Sequence, residues 1–168
     1  MRVLVSDTSV LIDLERGSLL QVSFSLPYEF TVPDVLYRRE MGGGWGERLL
    51  ELGLRVEGVS EGGVASALRY RSQRQALSVP DSFALALAKE QNWPLLTGDG
   101  QLRELAVAEH VECHGVLWLL DRMEEAGIPG IQLLHDGLEA LAGHPRCRLP
   151  LREITIRLER YRAIIRRP

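Results

Sequence analysis

Four acidic residues, Asp7, Glu40, Asp81 and Asp99, stand where apolar segments of this chain give way to polar ones. Asp7 and Asp99 each lie just beyond a short apolar run, Val3-Leu4-Val5 and Leu95-Leu96, at the point where a buried parallel strand would pass into a loop and then a helix. In open α/β sheets that crevice is where ligands bind. Glu40 and Asp81 fall in the helical stretches VPDVLYRRE and LSVPDSFALALA. If the four converge, each close pair of carboxylates repels by about 4 kcal/mol at ~4 Å and an effective dielectric near 20. Something positive must offset that repulsion. Oxygen donors without Cys or His suit Mg2+ or Mn2+, as one or two ions, rather than zinc, and metal-assisted chemistry follows from such a pocket.

Each acid also has a purely structural reading. Asp7 and Asp99 precede helical periodicity and suit N-caps, and Asp81 suits the positive end of its own helix. Glu40 resists this, because an acid near a helix C-terminus is disfavoured by the helix dipole, although Arg38 or Arg39 could compensate it. Taken jointly, two acids at strand ends and two on helices favour a shared metal site with Asp7 as central ligand and Asp81 and Asp99 beside it. Glu40 would ligate directly or hold a water that it orients as a general base.

The elements that must position these residues alternate. Val3 to Ser6 reads as a strand and Thr8 to Arg16 as a helix stopped by Gly17. Leu19 to Phe24 is a Leu-rich helical segment. Phe30 to Val32 reads as a second strand, and Pro33 sits at the favoured first turn of a helix to about Met41. After the Gly42-Gly43-Gly44-Trp45-Gly46 break come a short helix to Leu52, a strand Leu54 to Val59 and a helix Val64 to Leu77. Pro80 opens a helix Asp81 to Gln91, whose Ala84 to Ala88 centre is apolar all round and belongs inside the protein. Leu95 to Thr97 and Val111 to His114 read as strands, with helices Gly100 to Ala108 and Val116 to Glu125 after them. Parallel strands need crossover connections, so this order predicts a three-layer α/β/α fold with a mostly parallel central sheet flanked by helices.

At 168 residues and 45% apolar content the chain suits one well-buried core. We expect residues 1–126 to form the α/β unit and residues 127–168 a C-terminal helical extension packed on it or on a partner. In the last helix Leu151, Ile154, Leu158, Tyr161 and Ile165 draw an apolar stripe between arginines. The plain reading docks the stripe on the chain's own domain with the arginines in water. The sharper one lays the Arg face along a phosphate backbone or an acidic partner. The formal net charge of −3 gives no overall attraction for nucleic acid, so an anionic partner would be held by a local basic patch or by metal.

Two cysteines, Cys113 and Cys147, suggest no disulfide framework and fit a reducing cytoplasm. The four histidines show no zinc-ligand spacing. No apolar run is long enough for a membrane span, and MRVLVSD lacks the apolar stretch of a signal peptide, so a cytoplasmic protein without membrane attachment is expected.

DTSVLIDL, the Glu on the helix after the second strand, PDSFALALA and LLTGDGQLRELA together resemble the PIN-domain nucleases, including the VapC-type ribonuclease toxins of toxin–antitoxin pairs. The resemblance covers about Met1 to Met123. It implies hydrolysis of RNA phosphodiesters by Mg2+ or Mn2+ held on Asp7, Glu40, Asp81 and Asp99, with Thr97 as the small hydroxyl residue before the fourth acid. It also implies RNA as substrate, an antitoxin protein as partner and a homodimer. In many toxins of the family the fourth acid stands a few residues further into the helix. Here Asp99 sits in the turn, and Glu104 is the only later acid in that helix.

Other features are read as structural. GGGWG lacks the phosphate-loop lysine and reads as a flexible turn, and Trp45 as a core residue before a base-stacking one. Arg69, Arg71 and Arg74 read as a solvated helix face, while Arg38 and Arg39, next to Glu40, are weaker candidates for substrate contact. A non-catalytic RNA- or protein-binding module is the alternative. A phosphatase with an aspartyl nucleophile would need a second Asp where Ser9 stands.

Overall fold

A computed structural model describes all residues, Met1–Pro168. Five strands form one sheet: β1 (Arg2–Ser6), β2 (Tyr28–Pro33), β3 (Arg55–Glu57), β4 (Leu95–Leu96) and β5 (Cys113–His114). All pairings are parallel and the spatial order is β3-β2-β1-β4-β5. Between the strands run helices α1 (Thr8–Arg16), α2 (Leu20–Ser23), α3 (Asp34–Glu40), α4 (Gly44–Leu52), α5 (Glu61–Gln73), α6 (Val79–Gln91) and α7 (Gly100–Ala108). Helices α8 (Val116–Ala126), α9 (Ile131–Gly143) and α10 (Leu151–Ile165) follow β5. This is the expected α/β/α fold, with every strand parallel. No helix is long and apolar enough to cross a membrane.

The order reverses at β1. The chain leaves β1 toward β2 and β3 on one side and returns to β4 and β5 on the other, so the C-terminal ends of β1 and β4 flank the topological switch point. Those strands pair over Val5↔Leu95 and Ser6↔Leu96 only. The Asp7 N–H still bonds the Leu96 carbonyl at 3.0 Å, and the two segments then lead into α1 and the Thr97-Gly98-Asp99 turn, the place of the crevice in such sheets.

Helix α6 closes the core from within. Ala84, Leu85, Ala86, Leu87 and Ala88 are all buried, as the all-round apolar pattern predicts. Ser78 caps it by accepting from the Asp81 backbone N–H at 3.1 Å, so the helix starts at Val79, two residues before the expected Asp81. A similar cap starts α5 early: Ser60 accepts from the Gly63 N–H at 3.0 Å, and the helix runs Glu61–Gln73 rather than Val64 to Leu77. Strand β3 is shorter than the expected Leu54 to Val59, since it pairs only along β2 at the sheet edge. Pro33 ends β2 and caps α3 instead of lying in its first turn.

The GGGWG stretch is the clearest correction. Its last three residues are helical and open α4. A Cβ on Gly46 would lie 1.9 Å from the Met41 carbonyl oxygen and 3.1 Å from the Tyr37 hydroxyl, so glycine is required by a close approach to the end of α3. A similar crossing brings α9 onto the end of α1. There a Cβ on Gly137 would stand 2.8 Å from the Gly17 carbonyl. Leu134, Leu138, Leu141, Ile154 and Tyr161 of α9 and α10 belong to the same apolar cluster as Leu4 and Leu11.

The stripe on α10 is buried at Ile154 and Tyr161 but opens at its ends, where Leu151 is 76% and Ile165 38% exposed. Its arginines do not face water alone. Arg157 bonds both oxygens of Asp121 on α8 (2.8 and 2.7 Å), Arg160 holds Glu124, and Arg162 reaches Glu139 on α9 at 3.0 Å.

Gly46→Ala should gain up to about 1 kcal/mol of helix propensity and lose more to the clash with Met41, since overpacking costs typically about 1–3 kcal/mol. A net loss on the order of 1–2 kcal/mol is expected. Urea unfolding of both proteins checks it, and a midpoint unchanged or raised in the variant would contradict the close approach.

Candidate active site

Asp7 is the first residue after β1 and the N-cap of α1, and at 2% exposure it is the most enclosed acid of the chain. One carboxylate oxygen accepts from the Ser9 hydroxyl at 2.7 Å and the Val10 N–H at 3.1 Å. The other accepts from the Thr97 hydroxyl, which lies across the switch point just after β4. The structural reading of Asp7 thus holds: it caps α1, and its second oxygen is tied across the switch point to Thr97. Burial pushes its pKa up, and the bonds from Thr97, Ser9 and Val10 counter that rise.

Thr97 does two jobs. Its hydroxyl oxygen also accepts the Asp99 backbone N–H at 2.9 Å, which folds the Thr-Gly-Asp turn back onto Asp7. The Gly98 N–H in the same turn donates to Ser9 Oγ at 3.1 Å. Asp99 then caps α7 by accepting from Leu102 N–H at 2.9 Å through one oxygen. Arg103, one turn on, donates to the Thr97 carbonyl at 3.1 Å rather than to an acid.

Glu40 is the last residue of α3 and exposed; the Thr8 hydroxyl donates to it at 2.6 Å and ties it to the start of α1. Asp81 lies in the first turn of α6, half-buried. Its pKa is raised to about 7, first by burial and then by the negative charges of Asp7, Glu40 and Asp99, against a lowering bond from Ser78. The four acids thus share one electrostatic neighbourhood. None of them takes part in any ion pair of the chain.

Their oxygens are not drawn tight. No three of the four bring ligand atoms within 4.8 Å of one another; the one group that does is His135, Asp136 and Glu139 on α9. There the cation's place is taken, because Arg162 bonds His135 at 3.2 Å and Glu139 at 3.0 Å. At the crevice no guanidinium intervenes. An oxygen-only, anionic donor set without an ion-pair partner suits a hard divalent cation in kind, with Asp7 fixed by three hydrogen bonds, Asp99 by its cap and Glu40 by Thr8.

Arg38 and Arg39 are exposed at the end of α3 beside Glu40, with Arg38 near Asp34 at 3.6 Å. Thr8 and Ser9 were not singled out in the sequence. Their signal is position: two hydroxyl residues directly after an acid that ends a strand can turn back on that acid and on its neighbours.

The DUF3368 family model, described as a PIN domain, matches residues 3–162. The chain belongs to the PIN-domain family. PIN domains are generally nucleases that bind divalent metals, and the α/β/α sheet described above is of that type. Among solved structures, this PIN domain is similar to a PilT N-terminus domain protein from the hyperthermophilic archaeon Sulfolobus solfataricus. The identity is 17%, covering 72% of this chain and 92% of that one, with a TM-score of 0.47. No curated protein matches it by sequence.

The raised Asp81 pKa has a consequence for stability. An ordinary carboxyl titrates near 3.8 in the unfolded chain and this one near 7 in the fold, so the folded state holds the proton more tightly. Stability is therefore lost as pH rises from about 4 through 7. Asp81→Asn removes the penalty. Allowing for partial exposure, the variant should be more stable by roughly 2 kcal/mol at pH 8 in EDTA, or about 4–8 °C in Tm, with little gain at pH 4. Thermal melts at the two pH values measure this; an equal effect at both would remove the electrostatic account.

Proposed function

We propose that this PIN domain is a metal-dependent endoribonuclease that hydrolyses RNA phosphodiester bonds in the crevice between β1 and β4. One observation carries the reading: Asp7, Glu40, Asp81 and Asp99 lie close enough to act on one another with no basic partner, and their charge adds to burial in raising the Asp81 pKa to about 7. A cation relieves the same repulsion that a proton on Asp81 relieves. Mg2+ or Mn2+, as one or two ions, would supply an acidified water and neutralise charge on the scissile phosphate when bound.

The chain's own residues then divide the work. Asp7 is the central ligand, since Ser9, Val10 and Thr97 fix it and leave it no rotational freedom. Asp81 and Asp99 complete the donor set from the first turn of α6 and the cap of α7. Glu40 is exposed at the mouth and tethered by Thr8, a placement that suits accepting a proton from the attacking water. Thr97 is a positioning residue that holds Asp7 and the Asp99 turn in register. Arg38 and Arg39 flank Glu40, where a strand's phosphates would pass.

Within this reading the chain is the toxin half of a toxin–antitoxin pair, acting in the cytoplasm as a homodimer that a cognate antitoxin inhibits. The likeness of DTSVLIDL, PDSFALALA and LLTGDGQLRELA to the toxin ribonucleases supports that role.

Labelled RNA incubated with purified protein tests the chemistry. Cleavage should require Mn2+ or Mg2+, stop in EDTA, and fall by on the order of 100-fold or more in Asp7→Asn and Asp81→Asn, since even outer-shell changes at metal sites cost about 10–100-fold. Because a proton on Asp81 competes with the cation, Mn2+ affinity should rise with pH between 6 and 8. RNA bound without any cutting would instead mark a non-catalytic binding module. Equal cutting by all variants would expose a contaminant.

A further inference from the structure

The arginines of the C-terminal segment fall into three sets, of which one, Arg152, Arg166 and Arg167, is exposed on α10 and at the chain end. Those on α10 that face the domain are consumed internally: Arg157 by Asp121 and Glu153, Arg160 by Asp121 and Glu124, Arg162 by Glu139. Arg146 and Arg148, in the 144–150 loop between α9 and α10, are exposed, and their side chains make no hydrogen bond or ion pair with the chain. Both line a cleft of about 590 Å³ whose opposite wall includes Ser9 and Asp99. Asp99 is itself one of the four acids and Ser9 bonds Asp7, so the cleft borders the acid group on its Asp99 side. Arg16 and Arg103 also line it, giving four arginines against Asp13 and Asp99. Arg103 is bonded to the Thr97 carbonyl and Arg16 lies 3.5 Å from Asp13, which leaves Arg146 and Arg148 as the unengaged cations.

The loop is shaped in advance. Pro145 and Pro150 restrict its backbone, the Cys147 N–H bonds the His144 carbonyl at 2.9 Å, and the Arg146 N–H bonds His144 Nδ1 at 3.1 Å. Two free guanidinium groups on a stiff loop, facing an acid site, are suited to phosphate oxygens. The cleft lies in the size range of small-ligand pockets, a scale that suits a few unpaired nucleotides. No aromatic side chain lines it, which removes base stacking as a source of affinity.

We propose that this cleft is the channel for a single-stranded stretch of the substrate, in which Arg146 and Arg148 grip two phosphates on one side of the cut. The assignment rests on the ribonuclease reading for the identity of the strand. Recognition here is through the backbone, strongly salt-dependent and indifferent to base sequence.

Full-length protein, Arg146→Ala/Arg148→Ala and Arg166→Ala/Arg167→Ala are titrated by fluorescence anisotropy against a labelled unstructured RNA and a blunt RNA duplex. EDTA prevents cutting, and salt is varied from 0.05 to 0.3 M. Loss of two phosphate contacts to a single strand should reduce the slope of log Kd against log salt by about 1.4, which extrapolated from 1 M is about 25-fold weaker binding at 0.1 M. The control pair makes the same change in net charge at the chain end and should stay within twofold. Arg146→Lys/Arg148→Lys should retain most of the slope. Wild-type affinity in the Arg146/Arg148 variant, equal weakening in the control pair, or a larger loss for duplex than for single strand would each overturn the channel. A Mn2+ cleavage assay on the same proteins without EDTA separates the two readings. Arginine-dependent binding without cutting sinks the hydrolysis and keeps the cleft, whereas cutting with binding unchanged in the variant does the reverse.

Discussion

The contact on which this molecule turns is the one between Thr97 and Asp7. Strands β1 and β4 pair over only two residues before they part, and a carboxylate stands buried at the parting. Buried charge of that kind is tolerated only when its oxygens are bonded. Thr97 bonds one of them and in the same stroke accepts the Asp99 N–H, so a single hydroxyl joins the first strand, the fourth strand and the turn that delivers the fourth acid. Ser9 repeats the arrangement one step outward, donating to Asp7 and accepting from Gly98. The crevice owes its shape to these two hydroxyls as much as to the sheet.

A site made this way carries a standing cost. Asp81 is forced near three other acids by the burial of α6, whose alanines and leucines leave the helix no freedom to turn its first residues away. The start of α6 offsets part of the repulsion, because a helix N-terminus favours negative charge, yet that benefit is on the order of 1 kcal/mol at most in such settings. Burial outweighs that benefit and, with the neighbouring acids, raises the Asp81 pKa to about 7. The fold therefore gives up some stability above that pH to keep Asp81 among the other acids.

Much of this was legible in the residues, and the reasons for success and failure differ by element. Apolar periodicity located α1 and the centre of α6, since both follow from which side chains water excludes. The end of α3 at Glu40 was equally plain. Boundaries failed where a serine cap decided them: Ser60 and Ser78 start α5 and α6 earlier than the apolar pattern does. GGGWG failed for another reason. Glycine there reads locally as flexibility, whereas Gly46 answers to the Met41 carbonyl, a contact that appears only once α3 and α4 are folded against each other. Asp7 and Asp99 could be named because strand ends mark the switch point, whereas Glu40 and Asp81, which lie on helices, were picked out by the resemblance of their motifs. Thr8 and Ser9 were overlooked because hydroxyl residues after an acid are common and only geometry shows what they hold.

The arginines of the tail show how charge counts mislead. A net charge of −3 argues against nucleic acid, and a run of C-terminal arginines argues for it, but neither sum locates a free cation. Arg157 and Arg160 each bond a carboxylate of α8 through two nitrogens, a planar geometry that orients as well as attracts. Arg157 and Asp121 are mostly enclosed and Arg160 and Glu124 partly so. Their effect is directional: they fix the pitch of α10 on α8, and with Gly137 seated against Gly17 they fix α9 on α1. The loop between these two anchored helices then has little choice of course, and it runs past Ser9 and Asp99. The arginines left unpaired beside Asp99 are thus few, and the paired ones hold the helices that flank their loop.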